Sequence, residues 1–137
     1  AERTPVDGSV PAIVVIEDDP DNMTTVRAIL KNGFRILEAP DGRTGIELVQ
    51  RHLPDLVLLD IALPGISGFT VIKEIKSNYR TRNIPVIALT ALSMKGDRER
   101  ILNAGCDDYL AKPYDIGELT QKISFWLDTR HEHDTRD

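Results

Sequence analysis

The chain has 137 residues, 41% of them apolar and 28% charged, the balance of one globular domain with a real core rather than of a disordered or fibrous segment. Its formal net charge of -5 argues against a nucleic-acid surface, which needs clustered Lys and Arg on one face. No apolar run is long enough to span a bilayer and no signal-peptide pattern opens the chain; the single cysteine, Cys106, excludes an intrachain disulfide framework, so the cytoplasm is the expected compartment.

Residues 1–11, AERTPVDGSVP, hold two prolines, a glycine and scattered charge without periodicity, and read as a flexible leader or linker. With Ala1 rather than Met in front, the expectation is a processed product or a piece of a longer protein. The first strand is predicted at Ala12–Ile16 (AIVVI), followed by a helix whose cap is Asp19 with Pro20 behind it and whose stripe is Val26, Ile29 and Leu30. A second strand falls at Phe34–Leu37, then a helix from Asp41 with Ile46 and Val49 inward. A third strand, Leu56–Leu59, leads to a helix behind Ser67-Gly68 carrying Val71, Ile72 and Ile75. The fourth pair is Ile84–Leu89 and a helix from Ser93 to Ala104, with Ile101 and Leu102 expected to be buried and Gly105 as its stop. The last pair is Asp108–Leu110 and a helix opened by the capping box Asp115–Glu118, with Leu119, Ile123 and Trp126 packing inward. From Thr129 to Asp137 the chain is almost wholly polar and is expected to fray.

The strand runs are short and rich in β-branched residues and Leu, and two of them lack any polar alternation, as strands buried on both faces do. Five strand–helix units in this order predict an α/β fold, a flavodoxin-like three-layer (βα)5 sandwich with parallel sheet order 2-1-3-4-5, over residues 12–128, with 129–137 as a polar tail.

In a parallel sheet all strand C-termini lie along one edge, where ligands bind. The residues delivered there are Glu17, Asp18 and Asp19 after the first strand, Asp60 after the third, Thr90 after the fourth and Lys112 after the fifth. The second strand, ending in Glu38-Ala39-Pro40, lies away from that crevice. Asp19 is assigned mainly to capping. Two carboxylates about 4 Å apart repel by roughly 4 kcal/mol at an effective dielectric of 20. Glu17, Asp18 and Asp60 together therefore need a cation or a proton, and a hard cation such as Mg²⁺, which takes one or two carboxylates plus water and phosphate, suits this set.

The segments VVIEDDPDN, LVLLDIALPGISG, VIALTA and DDYLAKP, in this order and spacing, resemble the receiver domain of response regulators (chemotaxis-regulator-like) in bacterial two-component signalling. The resemblance covers residues 12–128. It implies that Asp60 is the phosphoacceptor, taking a phosphoryl group from a phosphohistidine of a sensor histidine kinase or a histidine phosphotransfer protein. It also implies that Asp18, Asp60 and the Ala62 backbone carbonyl hold Mg²⁺, with Mn²⁺ able to substitute, while Glu17 acts through a coordinated water. Thr90 and Lys112 would each contact a phosphoryl oxygen, and Pro113 matches a proline that is usually cis. Tyr109 would be the aromatic switch that turns inward with Thr90, the alternative being an ordinary half-buried strand residue. The switched surface would comprise the fourth helix, fifth strand and fifth helix and would control a downstream protein, with no direct nucleic-acid or membrane partner.

Three departures are visible. Glu17 stands where many receivers have Asp, and Ser67 where many have Asp. Ala62 and Leu92, two residues beyond Asp60 and Thr90, offer no side chain to hold a hydrolytic water, so slow self-dephosphorylation is expected. Cys106 reads as a small packing residue, His131 and His133 as solvated, and Lys95–Arg100 as a solvated helix face. An aspartate-nucleophile phosphatase would want an acid where Ala62 stands, and a nucleotide enzyme a glycine-rich loop where EDDPDN stands. A degenerate receiver acting only as a scaffold would not need the Glu17, Asp18, Asp60, Thr90 and Lys112 set.

Overall fold

The structure, a computed structural model, describes residues 10–91 and 97–136, with the side chains of Asp97 and of 129–136 left aside. Its order is β1 (Ala12–Ile16), α1 (Pro20–Leu30), β2 (Arg35–Ala39), α2 (Gly42–His52), β3 (Leu56–Asp60), α3 (Gly68–Ser77), β4 (Val86–Thr90), α4 (Asp97–Asn103), β5 (Asp108–Ala111) and α5 (Ile116–Arg136). All strand pairings are parallel and the sheet order is β2-β1-β3-β4-β5, as the sequence pattern predicts.

Alternation within each strand sorts its side chains onto two faces. Ile13, Val15, Leu56, Leu58, Ile87 and Leu89 point to one side, where they pack with Met23, Val26 and Leu30 of α1 and Leu119 and Ile123 of α5. Val14, Ile16, Val57, Leu59, Val86 and Ala88 point to the other, against Ile46 and Val49 of α2, Val71, Ile72 and Ile75 of α3 and Ile101 of α4. The central strands are therefore apolar, save for Asp60 and Thr90 at the ends of β3 and β4, because both faces are covered. The edge strand β2 is not: its Arg35 and Glu38 are exposed.

The helix starts are capped by side chains, at Asp19 and Asp115 as read from the sequence and also at Asp41 and Ser67. Asp19 accepts the Asp21 N–H at 2.8 Å, Asp41 that of Thr44 at 2.8 Å, and Ser67 that of Thr70 at 3.2 Å. Asp115 and Glu118 close a reciprocal box, with Glu118 N–H donating to Asp115 at 2.7 Å and Asp115 N–H to Glu118 at 3.1 Å. Gly105 ends α4 at φ +110, a left-handed conformation glycine adopts without a Cβ penalty. At Gly68 the reason is proximity: a Cβ would lie 2.7 Å from the Ile61 Cα, so only glycine lets α3 approach the turn after β3.

Two expectations are corrected. Leu102 is not buried but 38% exposed, while Ile101 is 1% exposed. A helix of seven residues presents only a narrow stripe to the sheet, and adjacent positions differ by about 100° around its axis. The end of α5 also differs, since its backbone continues to Arg136 rather than fraying from Thr129. Loss of apolar periodicity removes a packing face without removing the helix propensity of Arg and Glu. The proposed start of the fourth helix at Ser93 and the side chains of His131 and His133 lie outside the described residues. Among the described residues no helix is long and apolar enough to cross a membrane.

The edge strand β5 is tied to α5 by Asp108. Its carboxylate accepts the Trp126 indole N–H at 2.8 Å, the Tyr109 N–H at 2.8 Å and the Lys122 ammonium at 3.1 Å. Burial alone would raise the Asp108 pKa, but the Trp126, Tyr109 and Lys122 donors outweigh it and hold the group below its ordinary value of 3.8. Stability from this carboxylate is thus present above 3.8 and lost as pH falls through the lower folded-state value. Asp108→Asn is expected to cost about 1–2 kcal/mol in urea unfolding at neutral pH and to flatten the acid limb of stability against pH. An unchanged acid limb would remove Asp108 from this role.

Candidate functional site

The register decides what meets at the C-terminal edge. Ile16 pairs with Leu59, so Glu17 comes level with Asp60; Asp60 pairs with Leu89, and Thr90 with Ala111, which places Lys112 one step beyond. Backbone bonds from Glu17 N–H to the Ala39 carbonyl at 3.0 Å and from Lys112 N–H to the Thr90 carbonyl at 2.7 Å carry this order into the loops.

Carboxylate oxygens of Glu17, Asp18 and Asp60 lie within 4.8 Å of one another. Glu17 and Asp60 are buried, and Asp18 is exposed. Lys112 reaches across with Nζ 3.2 Å from Asp60 Oδ2 and 3.8 Å from Glu17 Oε1. Asp60 Oδ1 accepts the Ala62 N–H at 2.9 Å, and Glu17 Oε2 accepts the Asp19 N–H at 3.2 Å. Glu17 Oε1 is buried with no hydrogen-bond donor. Such an oxygen is costly unless a cation or a water on a cation sits opposite it, so the donor set fits a hard divalent ion.

The electrostatics agree. Burial first, then the adjacent Asp60 carboxylate, pushes Glu17 up to about 7, against the smaller pull of the Asp19 N–H and Lys112. Burial would lower the Lys112 pKa, yet the charges of Asp60 and Glu17 prevail and raise it, so it stays cationic. Burial also raises the Tyr114 phenol, two residues on; Lys112 opposes that rise, and Glu17 and Asp60 add to it.

Thr90 is buried at the end of β4, one strand over from Asp60. Tyr109 is half-buried against the cluster on the α3–α4 side, with the Arg98 guanidinium 6.0 Å from its ring centre. Lys112-Pro113 is cis. The edge therefore brings Glu17, Asp18, Asp60, Thr90 and Lys112 together, with Ala62 joined to Asp60 through its N–H. Leu92, Lys95 and Gly96 lie outside the described residues, but Arg98 and Arg100 are exposed, Arg100 standing 4.9 Å over the Phe69 ring, so that part of the basic run covers aromatic faces. Cys106 is a packing residue: its buried thiol donates to the Val86 and Asp108 carbonyls at 3.1 Å, and burial pushes it up to about 12. Sequence reading passed over Tyr114. Its only signal was an aromatic two residues beyond Lys112.

The response regulator receiver domain model matches residues 13–124, and the chain belongs to that family. The chain is 38% identical over 117 residues to the polar-differentiation response regulator DivK of Brucella anthropi, a match covering 85% of this chain and 95% of that protein. Among solved structures it resembles the receiver domain of a sensor histidine kinase from Pseudomonas aeruginosa, with TM-score 0.82 and 36% identity over 88% of this chain and 99% of that one. That domain holds a magnesium ion in its active-site cleft. A CheY-like receiver domain protein from Methanospirillum hungatei superposes with TM-score 0.83 at 25% identity, covering 91% and 99% of the two chains.

A carboxyl held above its ordinary 4.5 costs stability as pH rises from there to about 7, because the folded chain then binds the proton more tightly than the unfolded one. In chelator, the stability of the metal-free protein is expected to fall across that window by on the order of 1–3 kcal/mol. Glu17→Gln should flatten the slope, and added Mg²⁺ should offset the fall. A slope in Glu17→Gln equal to that of the parent would refute this assignment.

Proposed function

We propose that the chain is a phosphorylation switch whose phosphoacceptor is Asp60. The observation that carries this reading is the Lys112 ammonium 3.2 Å from an Asp60 oxygen, at the end of a strand shared with no other polar side chain and beside the Glu17 and Asp18 carboxylates. Phosphoryl transfer asks for alignment and charge stabilisation more than for covalent help from many groups.

In this reading an Asp60 oxygen attacks phosphorus in a phosphohistidine of a sensor histidine kinase or a histidine phosphotransfer protein in the cytoplasm. The P–N bond breaks, its electron pair stays on the imidazole nitrogen, and an acyl phosphate forms. Lys112 exchanges its Asp60 contact for a phosphoryl oxygen. Asp18, Asp60 and the Ala62 carbonyl would hold Mg²⁺, or Mn²⁺ in its place, with Glu17 acting through a bound water. That ion would neutralise the carboxylates and the transferred oxygens. Glu17 Oε1, buried without a donor, supports its part in this set.

The added dianion is the switching input. Thr90 would turn its hydroxyl to a phosphoryl oxygen, vacating space into which Tyr109 turns. The surface of α4, β5 and α5 then changes and is read by a downstream protein. Tyr109 starts half-buried beside α4, which supports a ring able to take either position.

Incubation with acetyl phosphate and Mg²⁺ is expected to add one phosphoryl group by intact mass, and Asp60→Asn to prevent it. Full labelling of the Asn variant would overturn the assignment. The acyl phosphate should persist for minutes or longer with Mg²⁺ present, since the Ala62 methyl offers no hydrogen bond to an attacking water. Decay within seconds would refute that expectation.

A further inference from the structure

The turn that joins α3 to β4 lies at the N-terminal edge of the sheet, opposite Asp60, and its backbone is pinned from several directions. The buried Thr81 hydroxyl donates to the Ile75 carbonyl at 2.6 Å. The Thr81 and Arg82 N–H groups donate to the Asn78 carbonyl at 3.0 and 2.9 Å, and the Arg80 N–H donates to Asn78 Oδ1 at 2.9 Å. From α3, Lys76 Nζ donates to the Arg82 and Ile84 carbonyls at 3.0 and 2.8 Å. Three side chains of this fixed turn point outward. Tyr79 is 77% exposed, more than any other large apolar side chain among the described residues, and Arg80 and Arg82 are exposed beside it. Among the described residues neither guanidinium has an ion-pair partner.

Helix-end electrostatics do not account for these charges. A cation gains from a helix C-terminus only within the last turn, which Lys76 already occupies, and both arginines lie beyond the Asn78 cap. The acids that precede β3 and β5 at this edge are also engaged. Asp107 Oδ2 accepts from Lys76 Nζ at 2.7 Å and from the Val86 N–H at 2.8 Å, and Asp55 accepts the Ala12 N–H at 2.8 Å. A positive, aromatic patch therefore stands out on a chain of net charge -5.

We propose that the α3–β4 turn is a docking surface for an acidic segment of a partner protein, with Tyr79 as the central contact and Arg80 and Arg82 as carboxylate clamps. Tyrosine and arginine concentrate binding energy, the first through a large rigid ring and the second through paired N–H donors that match a carboxylate. A turn already fixed by hydrogen bonds loses little freedom on binding. The methylene stems of partner Glu or Asp residues lie on the Tyr79 ring while their carboxylates meet the guanidiniums. A nucleic acid fits less well, since it needs basic charge spread along its backbone and would meet a chain of net negative charge. The five residues of β4 separate the turn from Thr90 by about 16 Å, so an occupant leaves Asp60 open. This surface is independent of whether Asp60 accepts a phosphoryl group.

The test titrates the isotope-labelled full chain with a deca-glutamate peptide at low salt, where exposed charges are least screened, and follows backbone amide shifts by NMR. Shifts are expected to concentrate on the turn from Asn78 to Asn83. Tyr79→Ala, and Arg80→Gln combined with Arg82→Gln, should each lower the association constant by about fivefold. All three side chains are exposed, so these variants keep the fold. Arg35→Gln combined with Arg43→Gln removes the same charge from exposed positions outside the turn and should leave the constant within about twofold of the parent. Shifts absent from the turn, or a loss in the Arg35 and Arg43 pair equal to that in the Arg80 and Arg82 pair, would overturn the surface. Tighter binding of a ten-nucleotide oligothymidylate than of the peptide would overturn the acidic protein segment as its occupant.

Discussion

Everything at the C-terminal edge of the sheet depends on one electrostatic arrangement, the Lys112 ammonium facing Asp60 and Glu17 over a cluster of three carboxylates. Like charges this close are tolerable only with positive charge among them, and one lysine does not balance three acids. The remainder is expressed as a Glu17 carboxyl held near 7 and a buried oxygen without a donor. A site left with unbalanced charge is prepared for a cation.

The scaffold makes this arrangement rigid. Glu17 and Asp60 follow strands that are buried on both faces and held in parallel register, so neither can move without dislodging the core. Lys112 arrives differently, one residue past the short edge strand β5, whose burial is partial and which Asp108 ties to α5. The acids and the lysine thus follow strands of unequal burial.

The surroundings of the cluster divide by side. Towards α4 stand Thr90, Tyr109 and the guanidinium of Arg98. Towards α1 stand Tyr114, Pro113 and the polar atoms of Asn22 and Thr25 around an open cavity.

Element order, the helix starts at Asp19, Asp41, Ser67 and Asp115, and the chemistry at each strand end were legible in the residues, because these are local: a helix start needs only its own first turn, and a strand end only its next residue. Motif resemblance supplied the roles of Glu17, Asp18, Asp60, Thr90 and Lys112. The packed fold assigns each strand residue to its face, since uniformly apolar runs such as AIVVI and LVLL carry no alternation to read. It also decided that Leu102 stays exposed, that Trp126 bonds Asp108, and that Tyr114 lines a cavity with Asn22 and Thr25. Those are contacts between residues far apart in the chain, fixed by how a helix rotates against the sheet, and no local pattern encodes that rotation.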